Sequence, residues 1–241
     1  MLSIKGVTKN FGGLTAVQDV SFDVPEHSVV GLIGPNGSGK TTLFNLISGV
    51  YPLSSGEVIF DGKNISNLAS SKIADYGLVR TFQIAKPFNN ISAMENVMVG
   101  AFQRHPARSK AIEKSLEIME LLEILPHKDA LPKNLPLAIK KRLEIARILS
   151  TEPKMILLDE VMGGLNPQET DNLVQIIRKI HKSGLTILII EHKMKCIMEL
   201  SQNVVILNNG KMIAHDTPEK VVKNPDVIKA YLGEDYDVSS Y

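Results

Sequence analysis

The chain has 241 residues, 44% of them hydrophobic, enough for one large domain or for one core with a subdomain. Its 27 Lys and Arg are balanced by 26 Asp and Glu for a formal charge of +1, which removes the broad electrostatic footing of a nucleic-acid binder. Cys196 is the single cysteine, so an internal disulfide is excluded, and no apolar run approaches the ~20 residues needed to cross a bilayer.

The first residues read as a strand and not as a charged segment followed by an apolar one, so a cytosolic chain is expected. "VVGLIG", residues 29–34, is short, apolar and without polar alternation, as in a parallel strand buried on both faces. It runs into G-P-N-G-S-G-K-T, residues 34–41, which matches the phosphate-loop pattern G-x-x-x-x-G-K-[ST], and a helix is expected from Thr41 to Val50. The strand-loop-helix context is what that motif's mechanism requires. Glycines let successive N–H groups turn inward around phosphate oxygens, and the helix N-terminus adds its partial positive charge. Asn36, Gly37, Ser38, Gly39, Lys40, Thr41 and Thr42 are therefore candidate nucleotide-binding residues, with Lys40 on the β- and γ-phosphates of a nucleoside triphosphate and Thr41 on Mg²⁺.

"EVIFDGKNI", residues 57–65, sets Asp61-Gly62 between strand-like flanks and predicts an antiparallel hairpin. Between about Ile84 and Ser150 the strand signal disappears. Ile112, Leu116, Met119 and Leu122, and later Leu143, Ala146 and Leu149, keep helical spacing, so a helical insertion is predicted. "MILLDE", residues 155–160, is a second buried strand ending in two carboxylates. Alone, adjacent carboxylates read as solvation of a strand end. Beside Gly34–Thr41 they read as chemistry, with Asp159 holding Mg²⁺ through water and Glu160 accepting a proton from the attacking water.

A helix is predicted from Gln168 to Lys182, with Leu173, Ile176, Ile177 and Ile180 on one face and Gly184 closing its end. "TILIIEH", residues 186–192, is a third buried strand; it delivers His192 to the edge where ligands of parallel sheets bind, although a lone histidine is more often structural. "VVILNNGKMIAH", residues 204–215, predicts a hairpin at Asn209-Gly210. After Thr217-Pro218 one capped helix is expected to end near Gly233, with a frayed tail "EDYDVSSY".

The predicted fold is α/β, a P-loop NTPase-type mostly parallel sheet core with an N-terminal antiparallel β subdomain and a helical insertion. Residues 1–241 form a single nucleotide-binding domain in this reading. Its core is 1–83 and 151–216, its helical subdomain 84–150, and its C-terminal helix and tail 217–241.

"NFGGLTAVQDVSF", "GLVRTFQIAKPFNNISAMENV", "KRLEIARILSTEPKMILLDEVMGGLNPQE" and "TILIIEHKM" follow one another in an order that resembles the nucleotide-binding subunits of ABC transporters. The resemblance is closest to the branched-chain amino acid uptake group and covers essentially the whole chain. It implies an ATPase with ATP and Mg²⁺ as cofactors. Phe11 would stack on adenine with Val17 beside the ring, the lesser alternative being that this isolated aromatic is a core residue. Gln83 would be the Q-loop glutamine, touching Mg²⁺ and the attacking water and coupling to the membrane subunit. His192 would be the switch histidine on the γ-phosphate, and Gly164, Leu165, Asn166 and Pro167 the D-loop, with Asn166 where many relatives carry Asp. Implied partners are a second ABC ATPase subunit in a homo- or heterodimer, integral membrane permease subunits and, indirectly, an external solute-binding protein, with no nucleic acid. The location implied is peripheral, on the inner face of the cell membrane.

One motif departs from the family pattern. Where relatives carry L-S-G-G-Q to close over ATP on the opposite subunit, this chain has Leu135, Pro136, Leu137, Ala138 and Ile139. Pro136 has neither hydroxyl nor N–H, Leu137 is bulky, and Ile139 cannot hydrogen-bond. Val161 replaces the proline that commonly follows the catalytic Glu. The resemblance therefore implies an asymmetric pair of sites if the partner has an intact signature. Two other readings stand beside the importer: a lipopolysaccharide-export-type ATPase with a similar compact cassette, and a non-transport ABC ATPase, whose usual paired cassettes, coiled-coil insertions or basic surfaces do not appear.

Overall fold

The computed structural model describes residues 1–81 and 87–232. In chain order these form β1 (Leu2–Phe11), β2 (Leu14–Val24), β3 (Val29–Ile33), α1 (Lys40–Ile47), β4 (Ser55–Phe60), β5 (Lys63–Asn64), α2 (Ser70–Asp75) and β6 (Leu78–Arg80). There follow α3 (Ala93–Ala101), α4 (Arg108–Leu121), α5 (Leu137–Leu149), β7 (Met155–Asp159), α6 (Pro167–Lys182), β8 (Thr186–Ile190) and α7 (Met194–Leu200). The remainder is β9 (Asn203–Asn208), β10 (Lys211–Asp216), α8 (Pro218–Val221) and α9 (Pro225–Leu232). Two compact units result, one made of residues 1–76 and the chain from Thr186 on, the other of Gly77–Leu185.

The first unit contains both kinds of sheet. β1 pairs antiparallel with β2 and β4, and β5 closes the row, so that Ile4 lies opposite Phe22 on one side and Val58 on the other. β3 lies parallel between β8 and β9, and β10 folds back antiparallel on β9. Every residue of β3 and β8 is buried, which is why neither shows alternation in sequence. Both predicted hairpins form. Asp61 and Gly62 have φ of 50° and 73°, and Asn209 and Gly210 have 47° and 78°, the pair of positive angles that matches strand twist. α7 lies so close to β3 that a methyl at Gly31 would stand 2.7 Å from Ile197 and 2.9 Å from Ser201.

In the second unit β6 and β7 pair in parallel, with Arg80 opposite Leu157. No strand occurs among the described residues between β6 and β7, as the periodicity indicates. The buried face of α4 is Ala111, Ser115, Ile118 and Met119; the predicted Ile112 and Leu116 sit half-buried at its margin. A polar Ser115 is tolerated inside because its hydroxyl donates to Ala111 O at 2.7 Å. α3 and α5 approach closely enough that a methyl at Gly100 would overlap Ser150 and the carbonyl of Arg147. α6 buries Leu173, Ile176, Ile177 and Ile180 as predicted.

The single C-terminal helix expected after Thr217 is two helices, α8 and α9, broken before Pro225. Pro225 has no N–H to continue the ladder and disfavours helical backbone at Asn224. The expected end near Gly233 and the frayed tail lie outside the described residues.

Asn96 pins the entry to α3. Fully buried, it accepts from Phe88 N at 2.8 Å and donates to the carbonyls of Phe88 (3.0 Å), Ile91 (3.3 Å) and Ser92 (2.9 Å). Asn96→Leu removes all of these side-chain bonds at a fully buried position, although the backbone groups at the other end are only partly buried, so urea unfolding should show a loss of about 1–3 kcal/mol.

Candidate functional site: a phosphate loop and a carboxylate strand end

The first unit holds the phosphate loop where strand β3 ends and α1 begins. Two of its glycines are required by packing. A methyl at Gly34 would overlap the Leu207 carbonyl, and one at Gly39, with φ of 102°, would lie 2.6 Å from Ala16 O. The loop is thus wedged between β2 and the end of β9, and Gly210 N–H donates to Ser38 O at 3.1 Å while Gln18 N–H donates to Gly210 O at 2.7 Å. Gly37 differs: its φ is 80°, and a methyl there would meet nothing within 4 Å. It is the open position, where a ligand could approach bare backbone.

No side chain caps α1, whose N-cap is Gly39. Gly39 has no side chain to bond the leading N–H groups of this helix, and a helix start of that kind favours an anion. The Ser38 hydroxyl is buried with no hydrogen-bond partner among the described residues. Lys40 is buried, and its ammonium donates to the carbonyls of Gly34 at 2.8 Å and Pro35 at 2.9 Å. Asn36 and Thr41 are exposed and Thr42 half-buried.

Phe11 is exposed and not a core residue. Its ring stands edge-on to Tyr51 at 5.4 Å between centroids, and Lys9 Nζ lies 5.0 Å from the Phe11 centroid. Val17, expected beside the base, is wholly buried under the loop, 3.4 Å from where a methyl at Gly39 would stand. His192 is exposed in the turn between β8 and α7.

The second unit carries the carboxylates. Asp159 ends β7 with its side chain only 1% exposed, and Arg80 Nη2 donates to Asp159 Oδ2 at 2.8 Å. Burial pushes the Arg80 guanidinium below its ordinary range, and Asp159 opposes that shift. Glu160 follows in the left-handed region at φ 49°, uncommon for a residue with a side chain, and its carbonyl accepts from Gly163 N–H at 3.2 Å and Lys141 Nζ at 3.3 Å. Val161, in place of proline, is buried.

Pro136 is the N-cap of α5 and Leu137 its first residue, both exposed, with Leu135 and Ala138 buried and Ile139 half-buried. The helix survives the departure from the family pattern. Leu137 leans on the D-loop: a methyl at Gly164, with φ of 79°, would stand 2.9 Å from Leu137 Cδ2. Asn166 is the N-cap of α6, accepting from Glu169 N at 2.9 Å while Glu169 Oε2 accepts from Asn166 N at 3.0 Å. Asn caps as well as Asp does, so this departure leaves the helix start intact. Gln83 lies outside the described residues.

Sequence reasoning missed Arg80, Thr81 and Gly210. The first two were visible in "GLVRTFQ" next to Gln83, but nothing in the pattern distinguished a buried arginine from a surface one. Gly210 read only as a hairpin turn.

An ABC transporter family model matches residues 17–163, and a model of the branched-chain amino acid ATP-binding cassette transporter matches residues 211–237. The chain belongs to the ABC transporter ATP-binding proteins, in the branched-chain amino acid group. It is 40% identical to the high-affinity branched-chain amino acid transport ATP-binding protein BraF of Pseudomonas aeruginosa, over 97% of this chain and 98% of that one. It is 37% identical to the corresponding protein LivG of Escherichia coli, over 97% and 98% of the two chains. Among solved structures, a nucleotide-free ATP-binding cassette from an ABC transporter matches with a TM-score of 0.88 at 30% identity, covering 97% of this chain and 99% of that one. As an ABC ATPase the chain has ATP as its nucleotide. Among the described residues no helix is long and apolar enough to cross a membrane.

Lys40→Ala removes two charge-assisted contacts that this ABC ATPase would exchange for phosphate oxygens. Calorimetry with magnesium ATP should show affinity reduced on the order of 100-fold.

Proposed function

We propose that this chain is the ATP-hydrolysing subunit of an importer for branched-chain or closely related amino acids. The observation that carries the reading is the full-length relation to transport ATP-binding proteins of that group, continued into a C-terminal match at residues 211–237. That match also weighs against the lipopolysaccharide-export and non-transport alternatives.

The chain's own residues supply the steps. Lys40, whose ammonium is held over the loop by the carbonyls of Gly34 and Pro35, binds the β- and γ-phosphates from a position already fixed at the loop. Open backbone at Gly37 and the uncapped start of α1 receive phosphate oxygens. Phe11, braced by Tyr51 and Lys9, offers a ring face to adenine. Glu160 takes the proton from the attacking water, and His192 contacts the γ-phosphate. Gln83 keeps the role the resemblance implies, at the metal and the attacking water.

Mg²⁺ fits the donors available. Thr41 in the first unit and Asp159 in the second each carry the hard oxygen that the resemblance assigns to the ion, and Mg²⁺ is ordinarily held by one or two protein oxygens together with phosphates and water. When bound, Mg²⁺ neutralises phosphate charge during transfer.

Partners in this reading are a second ATPase subunit and membrane permease subunits, with the chain peripheral on the cytoplasmic face. Each ATP would be gripped by one chain's phosphate loop and the other's signature. Pro136 and Leu137, exposed at the start of α5, present no hydroxyl and no bare backbone there. With a paralogous partner one site would be catalytic and one chiefly structural; a homodimer would carry the defect twice.

Cells lacking this subunit should lose uptake of labelled leucine, isoleucine and valine. An intact copy should restore it, and Lys40→Ala or Glu160→Gln copies should not; uptake indifferent to deletion would overturn the importer reading. In the purified homodimer, Pro136→Ser, Leu137→Gly, Ala138→Gly and Ile139→Gln together should raise ATPase turnover on the order of 10²-fold, and no gain would mean that α5 does not read phosphate.

A further inference from the structure

Asp159 is gripped from the neighbouring strand at two points. Arg80 Nη2 donates to its Oδ2 at 2.8 Å, and its N–H donates to Thr81 Oγ1 at 3.0 Å. Thr81 is itself fixed, fully buried, with its N–H on Leu157 O at 2.9 Å. Arg80 Nε donates to Thr81 O at 3.2 Å, so the guanidinium is tethered as well as paired. The two side chains are 8% and 1% exposed. Taking a guanidinium this far out of water is unfavourable unless the partner charge repays it, and replacing such a pair by apolar residues is often neutral or stabilising. Strand packing alone gives no reason for it. A buried arginine spent on the one carboxylate expected at the metal points to a function for the pair.

Charge supplies that function. A lone buried carboxylate attracts a divalent cation; a carboxylate already paired with guanidinium is a neutral unit and does not. With Arg80 paired to it, Asp159 offers a cation little net negative charge, and the triphosphate supplies the rest.

We propose that Arg80 is a positioning residue that keeps Asp159 oriented and charge-compensated, so that the site rejects free divalent cations and accepts them only with nucleotide. The inference rests on the reading of Asp159 as the metal-side carboxylate.

Mn²⁺, followed by its paramagnetic resonance signal in nucleotide-free protein, is the probe. Wild type and Arg80→Lys should leave Mn²⁺ essentially free, whereas Arg80→Gln should bind it on the order of tenfold or more tightly, the effect of removing one nearby positive charge. With ATP present, wild type should retain Mn²⁺. An Arg80→Gln affinity equal to wild type overturns the role of Arg80. So does wild type binding Mn²⁺ as tightly without nucleotide as with it, a measurement that needs no variant. In Arg80→Gln combined with Asp159→Asn the gained binding should vanish; if it persists, the reading of Asp159 fails instead, and the proposal with it.

Discussion

The site depends on a loop whose backbone must do two incompatible things: press against neighbouring strands and leave its amides uncovered. Side chains cannot be present for either. At Gly34 and Gly39 the obstacle is protein, the carbonyls of Leu207 and Ala16; at Gly37 there is no obstacle, only a left-handed angle and open space. One sequence signature therefore conceals two physical demands. The wedge between β2 and β9 holds the loop still, and the stillness lets the uncapped start of α1 present N–H groups without reorganisation. The β9–β10 turn is part of the same construction, because Gly210 bonds to both Ser38 and Gln18.

The second unit follows a similar logic with charge in place of space. Asp159 ends a strand buried along its whole length, and only an opposite charge brought equally deep makes an ionised carboxylate tolerable there. Glu160, one residue later, is turned by a left-handed backbone. Two adjacent carboxylates thus have different surroundings, Asp159 buried against Arg80 and Glu160 half-buried.

Much of the fold was legible. Buried strands announced themselves by unbroken apolar runs, hairpins by Asp61-Gly62 and Asn209-Gly210, and α6 by its periodic face. The C-terminal break was legible too, in Asn224-Pro225, but Thr217-Pro218 drew attention to a helix start and away from the second proline. In α4 the apolar spacing pointed slightly off the true buried face, because Ala111 and Ser115 are the residues that fit there and a self-bonded serine looks polar on paper. Within the site, the place of the phosphate loop between β3 and α1, and of Asp159 at the end of β7, was readable by type and spacing. What escaped was tertiary: that Val17 lies beneath the loop, that Phe11 has an aromatic brace in Tyr51, and that Arg80 points inward. None of these leaves a mark on local pattern, since each is decided by a segment distant in sequence.

Position 164 is reserved for glycine by its φ of 79°, whatever stands at the head of α5, because Leu137 Cδ2 is the end of an exposed side chain that can turn aside from a methyl there. The head of α5 is thus free to exchange its residue without changing what the neighbouring loop tolerates.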